Sequence, residues 1–238
     1  MLTEEQIEHF YREGYVVVPG LVPTDEVDKA LAAAPKEDAE AGGGWGARSF
    51  EHDKPDAEAA LHRLLVEPHV VEAVQDIFAA PARVYYGMMA VVPAHGGKGL
   101  PWHQDNQYAQ VLGGALNTFI ALCDITPDKA ILWVAPKSHR LGTQPSKDSE
   151  LYGAGHREAA VEPENGVPLP AMKKGDACIF DRNTYHRSLK NETNEDRYAY
   201  AAQYISDHAR NAGDGKRYPH QQMLATDLQQ RWRKAELI

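Results

Sequence analysis

Cysteine is scarce: the 238-residue chain has two, Cys123 and Cys178. Both sit in apolar, strand-like runs, and neither has a partner at Cys-x-x-Cys spacing. That excludes a disulfide framework and a thiolate metal motif, and leaves two reduced, buried thiols. Basic charge is also short. Lys and Arg number 25 against 34 Asp and Glu, for a net charge of -9, and basic residues cluster only locally near the C-terminus. Nucleic acid and anionic membrane surfaces are therefore poor partners. No apolar run reaches the length of a membrane-spanning helix. The opening residues are helix-like and acidic rather than a signal peptide, and Glu236-Leu237-Ile238 is not a peroxisomal address. The expected location is cytoplasmic. No internal repeat is visible.

What is present is an ordinary globular composition, 43% hydrophobic and 25% charged, with enough chain for one large domain. Thr3-Glu4-Glu5-Gln6 reads as a capping box, Ile7, Phe10 and Tyr11 follow at helical spacing, and Gly14 is a stop. Tyr15 to Val18 is β-rich. Pro23-Thr24-Asp25-Glu26 opens a second helix with Val27, Ala30, Leu31 and Ala34 on its apolar face, ended by Pro35. Residues 36–56 look irregular. Gly42-Gly43-Gly44-Trp45-Gly46, with Arg48 and Phe50 after it, suits either an active-site lid or a surface loop with one aromatic anchor. Two helical patterns over 57–79 part at Pro68.

From residue 82 the pattern changes to short β-rich runs: 83–86, 88–92, 117–123, 130–134, 177–180 and 198–204. Helices first and many short strands after predict a β-sandwich or barrel backed by helices, mainly β. The polar segment 141–170 reads as a long insertion. A last helix through Met223, Leu224, Leu228 and Trp232 is expected around 219–235.

The stretch that invites chemistry is Trp102-His103-Gln104-Asp105. On a strand, residues two apart share a face, so an imidazole and a carboxylate would converge. That is two-thirds of a 2-His-1-carboxylate set, which suits non-haem Fe(II) and leaves open positions. A His-x-Asp pair alone is weak evidence. His186, after the strand 177–180, is the candidate third ligand, and a partly buried structural histidine is its bland alternative. Arg197 opens an aromatic strand; in a metal pocket its fork is a natural grip for a carboxylate, with the Ser188 hydroxyl beside it.

These residues, Trp102-His103-Gln104-Asp105, His186-Arg187-Ser188, Asn191 and Arg197, resemble the phytanoyl-CoA dioxygenase family of Fe(II)/2-oxoglutarate oxygenases. The opening run through Gly14-Tyr15-Val16-Val17-Val18-Pro19-Gly20 and the segment Pro136-Lys137-Ser138-His139 are similar to that family as well. The resemblance implies a double-stranded β-helix, a cupin-like jelly roll, as a single domain over 1–238. Helices 1–80 would pack on a core of 82–205, with an extension of 206–238. It implies His103, Asp105 and His186 as iron ligands, with Arg197 and Ser188 holding the far carboxylate of 2-oxoglutarate. Phe119 and Met88 or Met89 align with positions lining the co-substrate pocket, and equally suit core. Fe(II), 2-oxoglutarate and O2 would be required, with ascorbate a possible stimulant.

The implied reaction is hydroxylation of a C–H bond with release of succinate and CO2. Family halogenases lack the carboxylate that Asp105 supplies here. Asn106, Gln107, Tyr108, Trp133 and Arg187 are candidates for substrate contact; mostly polar, they point to a polar small molecule. Each also suits a solvent-facing position. The protein would act as a monomer or homodimer. Acyl-CoA hydroxylation, a Zn hydrolase and a non-catalytic metal-binding jelly roll remain alternatives. Two departures stand out: Lys137 replaces the glycine of Pro-Gly-Ser-His, and Pro127-Asp128-Lys129-Ala130 stands where Glu-Asn-Gly is usual. Both predict altered turns.

Overall fold

The computed structural model describes residues 1–34, 46–218 and 222–238. The chain starts with helix α1 (Glu4–Glu13), whose capping box at Thr3 and Gln6 is formed as the sequence predicts. Gly14 ends it at φ 87°, its N–H bonded to the Phe10 carbonyl at 2.7 Å. Then come β1 (Tyr15–Val18), α2 (Thr24–Ala32), β2 (Gly46–Ser49), α3 (Ala59–His62), a 3-10 turn at Arg63–Val66, and α4 (Pro68–Phe78). Pro68 sits in the first turn of α4, where its missing N–H costs nothing, and the Glu67 carboxylate accepts from the Val70 N–H at 2.9 Å.

The β-rich part runs β3 (Ala82–Val92), β4 (Val111–Leu112), β5 (Ala115–Ala121), β6 (Leu132–Val134), β7 (Ser146–Ser149), β8 (Gly153–Ala159), β9 (Val167–Pro168), β10 (Ala177–Asp181), β11 (His186–Ser188), β12 (Arg197–Ser206) and β13 (Arg210–Asn211). Helix α5 (Ala225–Lys234) follows, burying Leu228 and Trp232.

Six strands form an antiparallel major sheet in the order β1-β10-β5-β12-β3-β2. A minor sheet, β11-β6-β9, supplies the second layer of the double-stranded β-helix. Alternation along the central strands buries both faces. Leu116, Ile120, Ile179, Tyr200 and Tyr204 pack with the helices, while Phe119, Cys178, Phe180 and Ala199 meet Leu132 and Val134 of the minor sheet. Each buried Leu or Ile contributes about 1.5–3 kcal/mol. On the inner face Ala90, Ala199 and Ala201 are small, and that leaves room for a cavity between the sheets.

Several expectations are corrected. The runs 83–86 and 88–92 form one strand, β3, which passes through Gly87. A Cβ there would lie 2.6 Å from Leu65 Cδ1 and Tyr200 Oη, so the glycine marks close helix–sheet packing rather than a break. Segment 141–170 is not a plain insertion: β7 and β8 pair as a hairpin and β9 joins the minor sheet. Of the proposed lid, 42–45 lie outside the described residues, while β2 pairs with β3 at the sheet edge and Phe50 is buried against His62 and Trp232. Pro35 also lies outside them. Lys137 takes φ 67° and Ala130 φ 48°, so both hold the left-handed conformation themselves instead of altering the turn away from it.

Candidate metal centre and its cavity

His103 does not lie in a regular strand. It forms a single antiparallel bridge to His186, with reciprocal N–H to carbonyl bonds of 3.0 Å each way. Gln104 is extended (φ -115°, ψ 139°), and Asp105 begins a 3-10 turn to Gln107. The extended link keeps the side chains of His103 and Asp105 convergent even though the strand ends there. The bridge brings in His186 from β11, its ring centre 4.2 Å from that of His103. One ligand atom from each of His103, Asp105 and His186 lies within 4.8 Å of the others.

All three side chains are buried. The Nδ1 of His103 is 2.8 Å from the Pro101 carbonyl and that of His186 is 3.0 Å from the Thr184 carbonyl. A carbonyl only accepts, so each Nδ1 carries its hydrogen and each Nε2 is the nitrogen turned to the cluster. Burial, helped by the neighbouring His186, pushes the His103 imidazole down to about 3. Burial works to raise the Asp105 carboxyl, but His186 and Arg182 hold it below its usual value. The donor set is thus two imidazole nitrogens and one carboxylate anion, a fit for a divalent transition metal with open coordination positions.

The same cavity is walled by Met88, Phe119, Leu132, Ser188 and Arg197. Arg197 is 2% exposed, and among the described residues no carboxylate pairs with its guanidinium. Its Nε has no partner, its centre lies 5.6 Å from the Phe119 ring, and burial lowers its pKa to about 10. A buried cation without an anion calls for one from outside. Ser188 Oγ accepts from the Leu100 N–H at 3.0 Å, and its hydroxyl hydrogen remains to donate. A second chamber of about 420 Å3 shares His103, Asp105 and Met88 with the first and is walled by Tyr85, Tyr86 and Tyr108.

The structure therefore brings His103, Asp105, His186, Arg197, Ser188, Phe119 and Met88 to one cavity. Met89, the alternative to Met88, faces the helix-side core. Tyr108 borders the second chamber, with its ring edge-on to His103 at 5.8 Å. The other expected substrate contacts are committed elsewhere. Asn106 is buried, donating to the Val111 carbonyl and to Asn183 and accepting from the Val111 N–H and Arg182. Gln107 accepts from the Gln104 N–H and donates to the Gln144 carbonyl. Arg187 borders the cavity, but its guanidinium is sandwiched between Trp102 and Trp133, 4.8 and 4.7 Å from their ring centres, and Trp133 walls neither chamber.

Sequence reasoning missed Asn117, Gln203 and Arg182, which surround Asp105. For Asn117 and Gln203 the signal is a polar residue at an inward position of an apolar strand, visible only once the inward face is known; Arg182 lies in the turn after β10 and carries no such pattern. It also missed Tyr85 and Tyr86.

Known proteins share this architecture. The chain is 25% identical over 221 residues to an ectoine dioxygenase of Stutzerimonas stutzeri (strain A1501), covering 81% of this chain and 73% of that one. Its fold matches the epimerase SnoN in complex with Fe3+, alpha ketoglutarate and nogalamycin RO, with a TM-score of 0.71, 22% identity and coverage of 87% and 85%. It also matches EvdO2 from Micromonospora carbonacea var. aurantiaca complexed with 2-oxoglutarate, with a TM-score of 0.73, 19% identity and coverage of 91% and 95%. The model of the phytanoyl-CoA dioxygenase (PhyH) family matches residues 10–199, a span that holds His103, Asp105, His186 and Arg197 together, and the chain belongs to that family.

Proposed function

We propose that the protein is an Fe(II)- and 2-oxoglutarate-dependent dioxygenase that hydroxylates a C–H bond of a small molecule. The observation that carries this reading is the buried, carboxylate-free Arg197 in the same cavity as the His103-Asp105-His186 cluster. The dioxygenase relative, and neighbours of the same fold that hold Fe3+ or 2-oxoglutarate, support it. When bound, Fe(II) and 2-oxoglutarate supply the oxidation: O2 is consumed, 2-oxoglutarate becomes succinate and CO2, and the substrate C–H becomes C–OH.

His103 and His186 offer their Nε2 atoms and Asp105 one carboxylate oxygen. Arg197 pairs with the far carboxylate of 2-oxoglutarate, and the Ser188 hydroxyl donates to it. Phe119, Met88 and Leu132 keep water from that ion pair. The tyrosine-walled chamber beside His103 and Asp105 receives the substrate. Its aromatic wall suits a ring-bearing or amphipathic molecule better than the uniformly polar one that the residues after Asp105 suggest. Helices and major sheet share one core, which supports reading 1–238 as one catalytic unit. All the proposed ligands come from one chain, so a monomer suffices.

The test is anaerobic addition of Fe(II) and 2-oxoglutarate, followed by a succinate-release screen over a metabolite library with ascorbate. A visible charge-transfer band and substrate-stimulated succinate are expected. Zn2+-supported hydrolysis without the band, or no succinate with any substrate, would sink the proposal.

A further inference from the structure

A carboxylate ligand has two oxygens and a rotatable bond, and Asp105 is not free to choose between them. Oδ1 faces the imidazole of His186, 3.8 Å from Nε2. Oδ2 is turned away and accepts from Asn117 Nδ2 at 3.0 Å and from Gln203 Nε2 at 3.4 Å. Asn117 on β5 and Gln203 on β12 are partners in the strand register, so their side chains leave the sheet side by side on one face. Arg182 donates to the Gln203 carbonyl oxygen Oε1, which turns the amide nitrogen toward Asp105. The same guanidinium donates to the Asp105 main-chain carbonyl at 2.9 Å and to Asn106 Oδ1 at 3.1 Å. Side chain and backbone of the ligand are thus held from one cation.

Inward neighbours on the same strands, Phe119 and Ala201, are apolar. An apolar side chain at 117 would be the less costly choice, because Asn117 Oδ1 is buried without a partner. The position carries that cost for what its Nδ2 does.

We propose that Asn117 and Gln203, oriented by Arg182, are positioning residues that pin Oδ2 of Asp105 and present Oδ1 alone to the metal. This rests on the reading of His103, Asp105 and His186 as ligands. Without the pins the carboxylate rotates and can chelate through both oxygens, closing a coordination position that the co-substrate or O2 needs.

Co(II) is the probe, titrated without O2 and followed by its visible absorption, whose intensity and shape report coordination number. The variants are Asp105→Ala, Asn117→Leu and Gln203→Met, each also melted without metal. Gln203→Met keeps the length of the side chain and loses the amide donor, so it stands if the leucine at 117 disturbs packing. Wild type is expected to bind Co(II) and Asp105→Ala to lose it. The pin variants should bind about 10–100-fold more weakly, with a changed spectrum. No uptake by wild type, or full affinity in Asp105→Ala, overturns the ligand reading itself. If that reading stands, pin variants with wild-type affinity and spectrum overturn the positioning role. So does a loss of affinity that follows a lowered metal-free melting temperature while the spectrum stays unchanged.

Discussion

Arg197 and Lys137 are single side chains whose surroundings decide their worth. Arg197 is a buried cation with its Nε unpartnered. Replacing it by Ala should weaken 2-oxoglutarate binding by about 2–5 kcal/mol, because the far carboxylate would then be buried without a countercharge. Titrating the charge-transfer band measures it, and unchanged affinity would remove Arg197 from the co-substrate site. Lys137 holds φ 67°, a conformation that penalises a Cβ, and its Nζ is a distant 4.0 Å from Glu13. Lys137→Gly should therefore raise stability by about 0.5–1 kcal/mol in denaturant unfolding, the relief of strain outweighing the added freedom of the unfolded chain. A loss of stability would mean that the Lys137 side chain makes a net contribution.

Helix α3 meets the sheet through buried Ala59 and Leu61 and through one polar side chain. The Nδ1 of His62 meets the Tyr200 hydroxyl at 2.8 Å, and its Nε2 is buried without a partner. Burial, with Arg48 nearby, brings its pKa down to about 4. The neutral ring is favoured in the folded state, so its stabilisation is complete above the unfolded value of about 6.5 and is lost as pH falls toward 4. His62→Gln keeps a hydrogen-bonding partner for Tyr200 but cannot titrate. Between about pH 7 and pH 5 it should lose about 2 kcal/mol less stability than the wild type, measured by urea unfolding of the metal-free protein. Parallel pH profiles would refute this.

Elements differ in how far the sequence discloses them. The capping box of α1, the Gly14 stop and Pro68 at the start of α4 are local signals and are legible. Strand β3 reads as two runs because Gly87 looks like a break until Leu65 and Tyr200 are seen against it. The three proposed ligands and Arg197, which meet in one cavity, are legible through their motif. Asn117 and Gln203 are not, because their meeting depends on a register between strands far apart in the chain.

For the whole molecule, the relation between metal and folding matters most. His103 and His186 are joined through the main chain, and Asp105 is held by Asn117 and Arg182, bonds that need no metal and predict a site formed by folding itself. Folding and metal binding should be separable: the metal-free protein melts cooperatively, and Co(II) at about 100 times its dissociation constant adds about 2.7 kcal/mol. Thermal melts with and without Co(II) measure this, and Asp105→Ala should abolish the gain. A metal-free protein that is unfolded would show that the ligands are assembled by the ion instead.

The Arg187 sandwich gives the molecule an optical gauge. Trp102 adjoins His103 in sequence, and Trp133 faces Arg187, the neighbour of His186. Trp232 is remote from them, its Nε1 bonded to the Pro55 carbonyl. Among the described residues, two indoles thus lie beside the proposed metal ligands and a third lies apart; Trp45 lies outside those residues. An open-shell ion entering the proposed site should quench the near pair, so a fall in intrinsic fluorescence on adding Co(II) would follow loading without label or substrate.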